Sequence, residues 1–369
     1  MPRDALKNKI YFPNLDGLRF FAFFAVFLAH SFYSDLDTIS RELIYAKFRE
    51  IGHLGIFGVN FFFVLSGYLI TYLLLVEKTN TGKVSLKNFY LRRILRIWPL
   101  YYAVIIIGFF IIPLVQREVF GAINYAESAN LWEYILFINN FSIQEPRTAV
   151  LGVLWSIAVE EQFYLIWPIV VAFIAQKRLP YVFSLLIIAS ILFRVFLIGY
   201  GYKHTLSCMS DLSVGSLFAY YSFRSETFKS FFKNLESWKI FTIYLLGFSL
   251  FFLRSFWADI PIAYLNERLL FSLFFSFIIL EQNYSCNPIK VGRLKVLTSL
   301  GKVTYGLYML HFLAIYIISK VIRLIMDESL LSVLAIEPIM SLGLSIIVSF
   351  ASYKYFEKPF LRLKSKYSS

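Results

Sequence analysis

The chain has 369 residues, 59% of them hydrophobic and 16% charged, with a mean hydropathy of +0.66 and a net charge of +13. Soluble domains lie nearer about 45–50% apolar and about 25% charged, so a water-soluble globular fold is excluded and lipid must cover much of the surface. The two cysteines, Cys208 and Cys286, cannot build a disulfide framework. CxxC and HExxH patterns are absent, so no metal site is expected.

The basic start, MPRDALKNKIYFPNLDG, has no small-residue cleavage site after a short apolar core, so the first apolar run is expected to stay as a span. A span needs roughly 20 mostly apolar residues. Ten segments qualify: 15–34, 54–76, 97–115, 157–175, 180–200, 205–222, 240–256, 259–281, 301–326 and 331–353. The sixth is the weakest, because it carries Asp211 and several serines. Inside lipid each segment must satisfy its own backbone, which makes these helices, and the alternation of a membrane barrel is absent. The expected fold is all-α: a polytopic transmembrane helical bundle of about ten spans, in one domain covering 1–369. The weakly hydrophobic stretch from Gln116 to Gly152 is its extracytoplasmic loop.

An even number of spans puts both termini on one side. Lys and Arg crowd that side: Arg3, Lys7 and Lys9 at the start; Lys78, Lys83, Lys87, Arg92, Arg93 and Arg96; and Lys354, Lys358, Arg362, Lys364 and Lys366 at the end. The opposite loops carry few. The bias predicts cytoplasmic termini and accounts for the net charge without nucleic acid.

Ionisable groups inside spans cost about 2.5–3.5 kcal/mol each on insertion scales and mark functional sites. The first span holds Asp16, Arg19 and His30. Arg19 and His30 are eleven residues apart, about three helical turns and about 16 Å, so they share a face. Snorkelling of Arg19 and a helix–helix hydrogen bond of His30 are the structural alternatives. In LRRILRIW, residues 91–98, Arg93 and Arg96 share a face at the mouth of the third span and suit a polyphosphate, unless they are an ordinary basic flank. In WSIAVEEQFYLIWP, residues 155–168, Glu160 and Glu161 point about 100° apart, so one can face inward and support a histidine. In GKVTYGLYMLHF, residues 301–312, Tyr305, Tyr308 and His311 line one flank of the ninth span, and His311 reads mainly as a structural hydrogen-bonding residue.

In this order the motifs resemble the acyltransferase-3 family of membrane O-acyltransferases, which modify cell-surface glycans. The resemblance is carried by Leu15-Asp16-Gly17-Leu18-Arg19 followed by His30, GVNFFFVLSGYLI at 58–70, Arg93 to Arg96, WSIAVEEQFYLIWP, GKVTYGLYMLH and YKYFEKPF at 353–360. It spans nearly the whole chain. It implies transfer of an acyl group, acetyl by default, from cytoplasmic acyl-coenzyme A to a hydroxyl of an extracytoplasmic surface glycan or lipid-linked sugar. The protein would then sit multi-pass in the plasma membrane, the inner membrane of a bacterium, among its lipids. Arg19, Arg93 and Arg96 match donor positions, His30 the catalytic histidine, and Glu160, better than Glu161, the family glutamate. The chain would be a stand-alone form without the further hydrolase-like domain of some members. It departs from the family at Val153-Leu154, where a His often precedes Trp-Ser, at Asn60 for Asp and at Thr304 for Ser. On this reading the coenzyme phosphates meet the arginines, the pantetheine arm runs toward His30, and His30 is the general base, with Glu160 either orienting it or stabilising its imidazolium. A transporter using the same Arg, His and Glu as a substrate or proton pathway is the alternative, but the two halves show no convincing internal repeat. A membrane scaffold without chemistry is a third reading.

Overall fold

The computed structural model describes residues 12–196, 201–257, 260–365 and 367. Arg3, Lys7 and Lys9, the end of the fifth predicted span at 197–200, the first residue of the eighth at 259, and Lys366 lie outside the described residues.

Every regular element among the described residues is helical. The chain runs α1 (Pro13–Ser31), α2 (Asp37–Ser40), α3 (Leu43–His53), α4 (Phe57–Thr81), α5 (Leu86–Ile106) and α6 (Ile112–Glu118). There follow α7 (Leu131–Ile135), α8 (Leu154–Phe173), α9 (Leu179–Phe196), α10 (Thr205–Arg224) and α11 (Glu226–Lys233). The last are α12 (Ser237–Phe252), α13 (Pro261–Tyr284), α14 (Lys295–Lys302), α15 (Thr304–Ile325), α16 (Glu337–Ala351) and α17 (Lys358–Ser365).

A helix accompanies each of the ten predicted spans. Among the described residues, however, six are long and apolar enough to cross a membrane, or seven if the bent pair Glu226–Lys233 and Ser237–Phe252 is one span. Part of the shortfall from about ten has chemical causes: α1 carries Asp16, Arg19 and His30, α10 carries Asp211 and several serines, and α12 has only 16 residues. The protein is an all-α, multi-pass membrane protein.

Burial is inverted relative to a soluble fold. Exposed Tyr181, Leu185, Ile188, Leu192 and Phe196 recur every three or four residues along α9, a stripe that faces lipid. Asn60, Thr71, Ser210, Asp211, Ser216 and Arg268 are buried. In lipid, polar groups and close backbone approach hold helices together, because apolar burial offers no net gain there.

Two compact units divide the chain. The first comprises 1–22, 57–86 and 163–302. In it α4 and α10 touch backbone to backbone: a Cβ added at Gly215 would overlap the Val64 carbonyl. Thr71 donates to Ser216 at 2.9 Å and receives the Trp167 indole N–H at 2.7 Å. The Arg268 guanidinium pairs with Asp211 at 2.7 Å, both buried. Asn60 accepts the Tyr202 hydroxyl at 2.6 Å, so the amide keeps the acceptor that an Asp at this position would supply. Lys78 donates to the carbonyls of Val171, Ala172 and Ile174 at 2.7–2.9 Å, capping the open end of α8 with a cation.

The second unit comprises 23–56, 87–162 and 303–369. Its longest non-spanning stretch, the predicted loop 116–152, is ordered by Glu127. That carboxylate accepts from the amides of Ser128 at 2.9 Å, Arg147 at 2.6 Å and Thr148 at 2.9 Å. The loop is pinned to α5, whose Tyr101 and Tyr102 hydroxyls donate to the carbonyls of Tyr134 and Ile135.

Candidate active site

The candidate chemistry gathers in the second unit. The end of α1 is held there by α3, since a Cβ at Gly55 would overlap the Ala25 carbonyl. Arg49 on α3 donates to the Phe32 carbonyl at 2.7 Å, meeting the dipole and the open carbonyls where α1 ends. His30 is thereby fixed against α15.

Helix α15 is the organising element. Its flank Tyr305, Tyr308 and His311 reaches three different helices. Tyr305 donates to the Ile97 carbonyl on α5 at 2.7 Å. The Tyr308 hydroxyl meets Ser156 Oγ on α8 at 2.7 Å. His311 Nε2 lies 3.1 Å from His30 Nδ1 on α1, the rings 5.3 Å apart. The other ring nitrogen of His311 lies 2.8 Å from the Tyr308 carbonyl. His311 is fully buried against Phe23, Phe27 and Phe312, while His30 is half-buried. An imidazole in such a setting has the fixed partner that a general base needs.

The charged motifs converge about two turns lower on α15, around Tyr305. Its hydroxyl feels the charges of Glu160, Glu161 and Glu357. The Trp98 indole donates to Glu161 Oε2 at 2.9 Å, and Arg93 lies close enough to Glu161 for their charges to interact. Arg96, exposed, interacts likewise with Glu357 of the terminal YKYFEKPF motif. Motifs more than 250 residues apart in sequence therefore meet in this cluster. Arg93 is half-buried with Phe89 beneath its guanidinium, and Arg96 is open to solvent, an arrangement that fits a phosphate.

The predicted residues are thus only partly brought together. Arg93, Arg96 and Glu160 share the cluster, and His30 lies beyond it. The expected contact between Glu160 and His30 is not formed. His311 occupies that place, while Glu160 sits near Tyr305 and Tyr308. Arg19 lies in the first unit, where Asp16 pairs with it at 2.5 Å. The reason is spacing: Asp16 is one turn away on the same helix, so neutralisation is local. Sequence reasoning took His311 as a structural hydrogen-bonding residue, and the structure gives it such a contact, with His30 on α1; it missed Trp98 and Arg49. The signal for His311 was the three-residue periodicity that it shares with two tyrosines. Among the described residues no group of three or more His, Cys, Asp or Glu is placed to hold a metal ion.

The chain has relatives among known proteins. O-acetyltransferase OatA of Staphylococcus aureus (strain NCTC 8325 / PS 47) is 34% identical over 182 residues, which is 46% of this chain and 26% of that protein. Peptidoglycan O-acetyltransferase OatA of Listeria monocytogenes (serovar 1/2a, strain EGD-e) is 34% identical over 177 residues, 46% of this chain and 25% of that protein. A further Staphylococcus aureus (strain COL) protein is 27% identical over 387 residues, covering 96% of this chain and 58% of its own length. The chain therefore spans about a quarter of the two OatA proteins. No solved structure matches. Residues 12–354 match the family described as "Acyltransferase domain", and the chain belongs to that family.

Proposed function

We propose that this protein transfers an acyl group, acetyl by preference, from cytoplasmic acyl-coenzyme A to a hydroxyl of a surface glycan or lipid-linked sugar across the plasma membrane. His30 is the general base. The acceptor oxygen attacks the thioester carbonyl, and its proton passes to His30. The C–S bond breaks, and the coenzyme thiolate leaves and takes the proton back. Arg93 and Arg96 bind the donor phosphates; the donor is a substrate, and no metal is needed. Glu160 stabilises the imidazolium electrostatically from the Tyr308 side. Both termini are cytoplasmic, and loop 116–152 is extracytoplasmic. The names of the OatA relatives favour acetyl as the group and a cell-wall glycan as the acceptor.

The observation that carries the reading is the His30–His311 pair within an acyltransferase-family chain, with an arginine-bearing cluster about two turns away along α15. The test is acetyl transfer by purified protein in liposomes, supplied with acetyl-coenzyme A on one side and cell-wall glycan fragments on the other. Thiol release coupled to a 42-Da gain on the glycan, where 42 Da is about the mass of one acetyl for hydrogen, supports it. No transfer and no thioester cleavage, with donor bound, overturns it.

A further inference from the structure

A base must present its lone pair to the substrate, and an imidazole has two nitrogens that compete for that role. The hydrogen bonds of this pair decide between them. A carbonyl oxygen only accepts, so the 2.8 Å contact with the Tyr308 carbonyl requires the proton of His311 to be on Nδ1. A neutral imidazole carries one N–H, so His311 Nε2 then holds the lone pair. That nitrogen faces His30 Nδ1 at 3.1 Å, and two lone pairs cannot bond, so His30 Nδ1 carries the proton. The lone pair of His30 is left on Nε2. The polarity runs in one direction from a backbone carbonyl through two rings.

The geometry points to His311 as the positioning residue of the reaction: it locks His30 in the Nδ1–H tautomer and so makes Nε2 the atom that takes the acceptor hydroxyl's proton. This inference rests on the reading of His30 as base. When Nε2 is protonated, His30 becomes an imidazolium whose Nδ1–H still donates to His311, so the new charge meets an acceptor already in place. His311 touches no substrate; the ring is enclosed by Phe23, Phe27, Tyr308 and Phe312. Tyr308 is itself held by Ser156, which fixes the turn of α15 that supplies the carbonyl.

The chain has four histidines, few enough for assignment by single substitution after selective ¹⁵N-histidine labelling. Two-bond ¹⁵N–¹H spectra of the purified protein in detergent should show His30 protonated at Nδ1 and bare at Nε2. His311→Leu removes the acceptor, and kcat should fall about 10²-fold with the KM for acetyl-coenzyme A unchanged. His311→Gln offers a side-chain oxygen in the same direction and should restore most of kcat. A wild-type spectrum with the His30 proton on Nε2 overturns the assignment, as does a folded His311→Leu with wild-type kcat. Should His311→Leu fail to fold, the wild-type spectrum alone decides. Undiminished transfer by His30→Ala is a separate outcome: it removes the base itself, whatever the tautomer.

Discussion

At the scale of single residues, His30 and the arginines should separate cleanly in kinetics. His30 sits about three turns from Arg19 on α1 and is joined to His311, so it should act in the reaction step and not in anchoring the coenzyme. His30→Ala is expected to lower acyl transfer by about 10²–10⁴ while leaving donor affinity intact, measured by transfer assay and calorimetry on monodisperse protein. Arg93→Ala and Arg96→Ala are expected to do the reverse. Each loses a charge-assisted contact of about 1.5–3 kcal/mol, which weakens acyl-coenzyme A binding by about tenfold or more. Wild-type affinity in both variants would mean that the pair is only a basic flank. Glu160→Gln keeps the shape and removes one charge near Tyr308, so its loss of rate should be smaller than that of His30→Ala. A larger loss would put Glu160, not His30, at the centre of the proton transfer.

At the scale of elements, helix positions were legible and their partners were not. Apolar length located ten helices because lipid allows few alternatives. It could not say which faces meet, since close approach in a membrane is set by small residues and by polar pairs. Gly215 was unremarked in the sequence, yet α4 passes it at backbone distance. Gly215→Val should therefore force α4 and α10 apart and cost about 1–3 kcal/mol, read as a lower midpoint of thermal unfolding in detergent. A variant that melts like the wild type would show that the crossing is slack. Of the site, His30, the arginine pair and the double glutamate were visible as charges that lipid would reject. The partner of His311 was not, because a histidine at helical spacing with tyrosines does not say which helix it faces; the structure puts His30 at 3.1 Å. Arg19 shows a contact that the spacing did give: Asp16, one turn away on the same helix, pairs with it at 2.5 Å.

At the scale of the whole molecule, topology can be tested with the chain's own chemistry. Cys208 is buried and Cys286 exposed, so a Cys286→Ser background should be silent toward an impermeant maleimide. Ile143 in the loop is 100% exposed. Ile143→Cys in that background should label from outside intact cells, as the Lys and Arg bias requires. Labelling only after the membrane is opened would invert the orientation and with it the direction of transfer. Family membership favours a transferase over the transporter that the same intramembrane charges first allowed.

The two halves of the histidine pair also differ in age. His30 and His311 are separated by 281 positions. At a synthesis rate of about 5–20 residues per second, His30 spends roughly a quarter of a minute to a minute in the membrane before its partner exists. Until α15 is delivered, nothing faces Nδ1 of His30 as His311 does in the finished fold. A ribosome that stalls shortly before residue 311 therefore leaves an inserted chain carrying most of the membrane helices and a His30 without its partner.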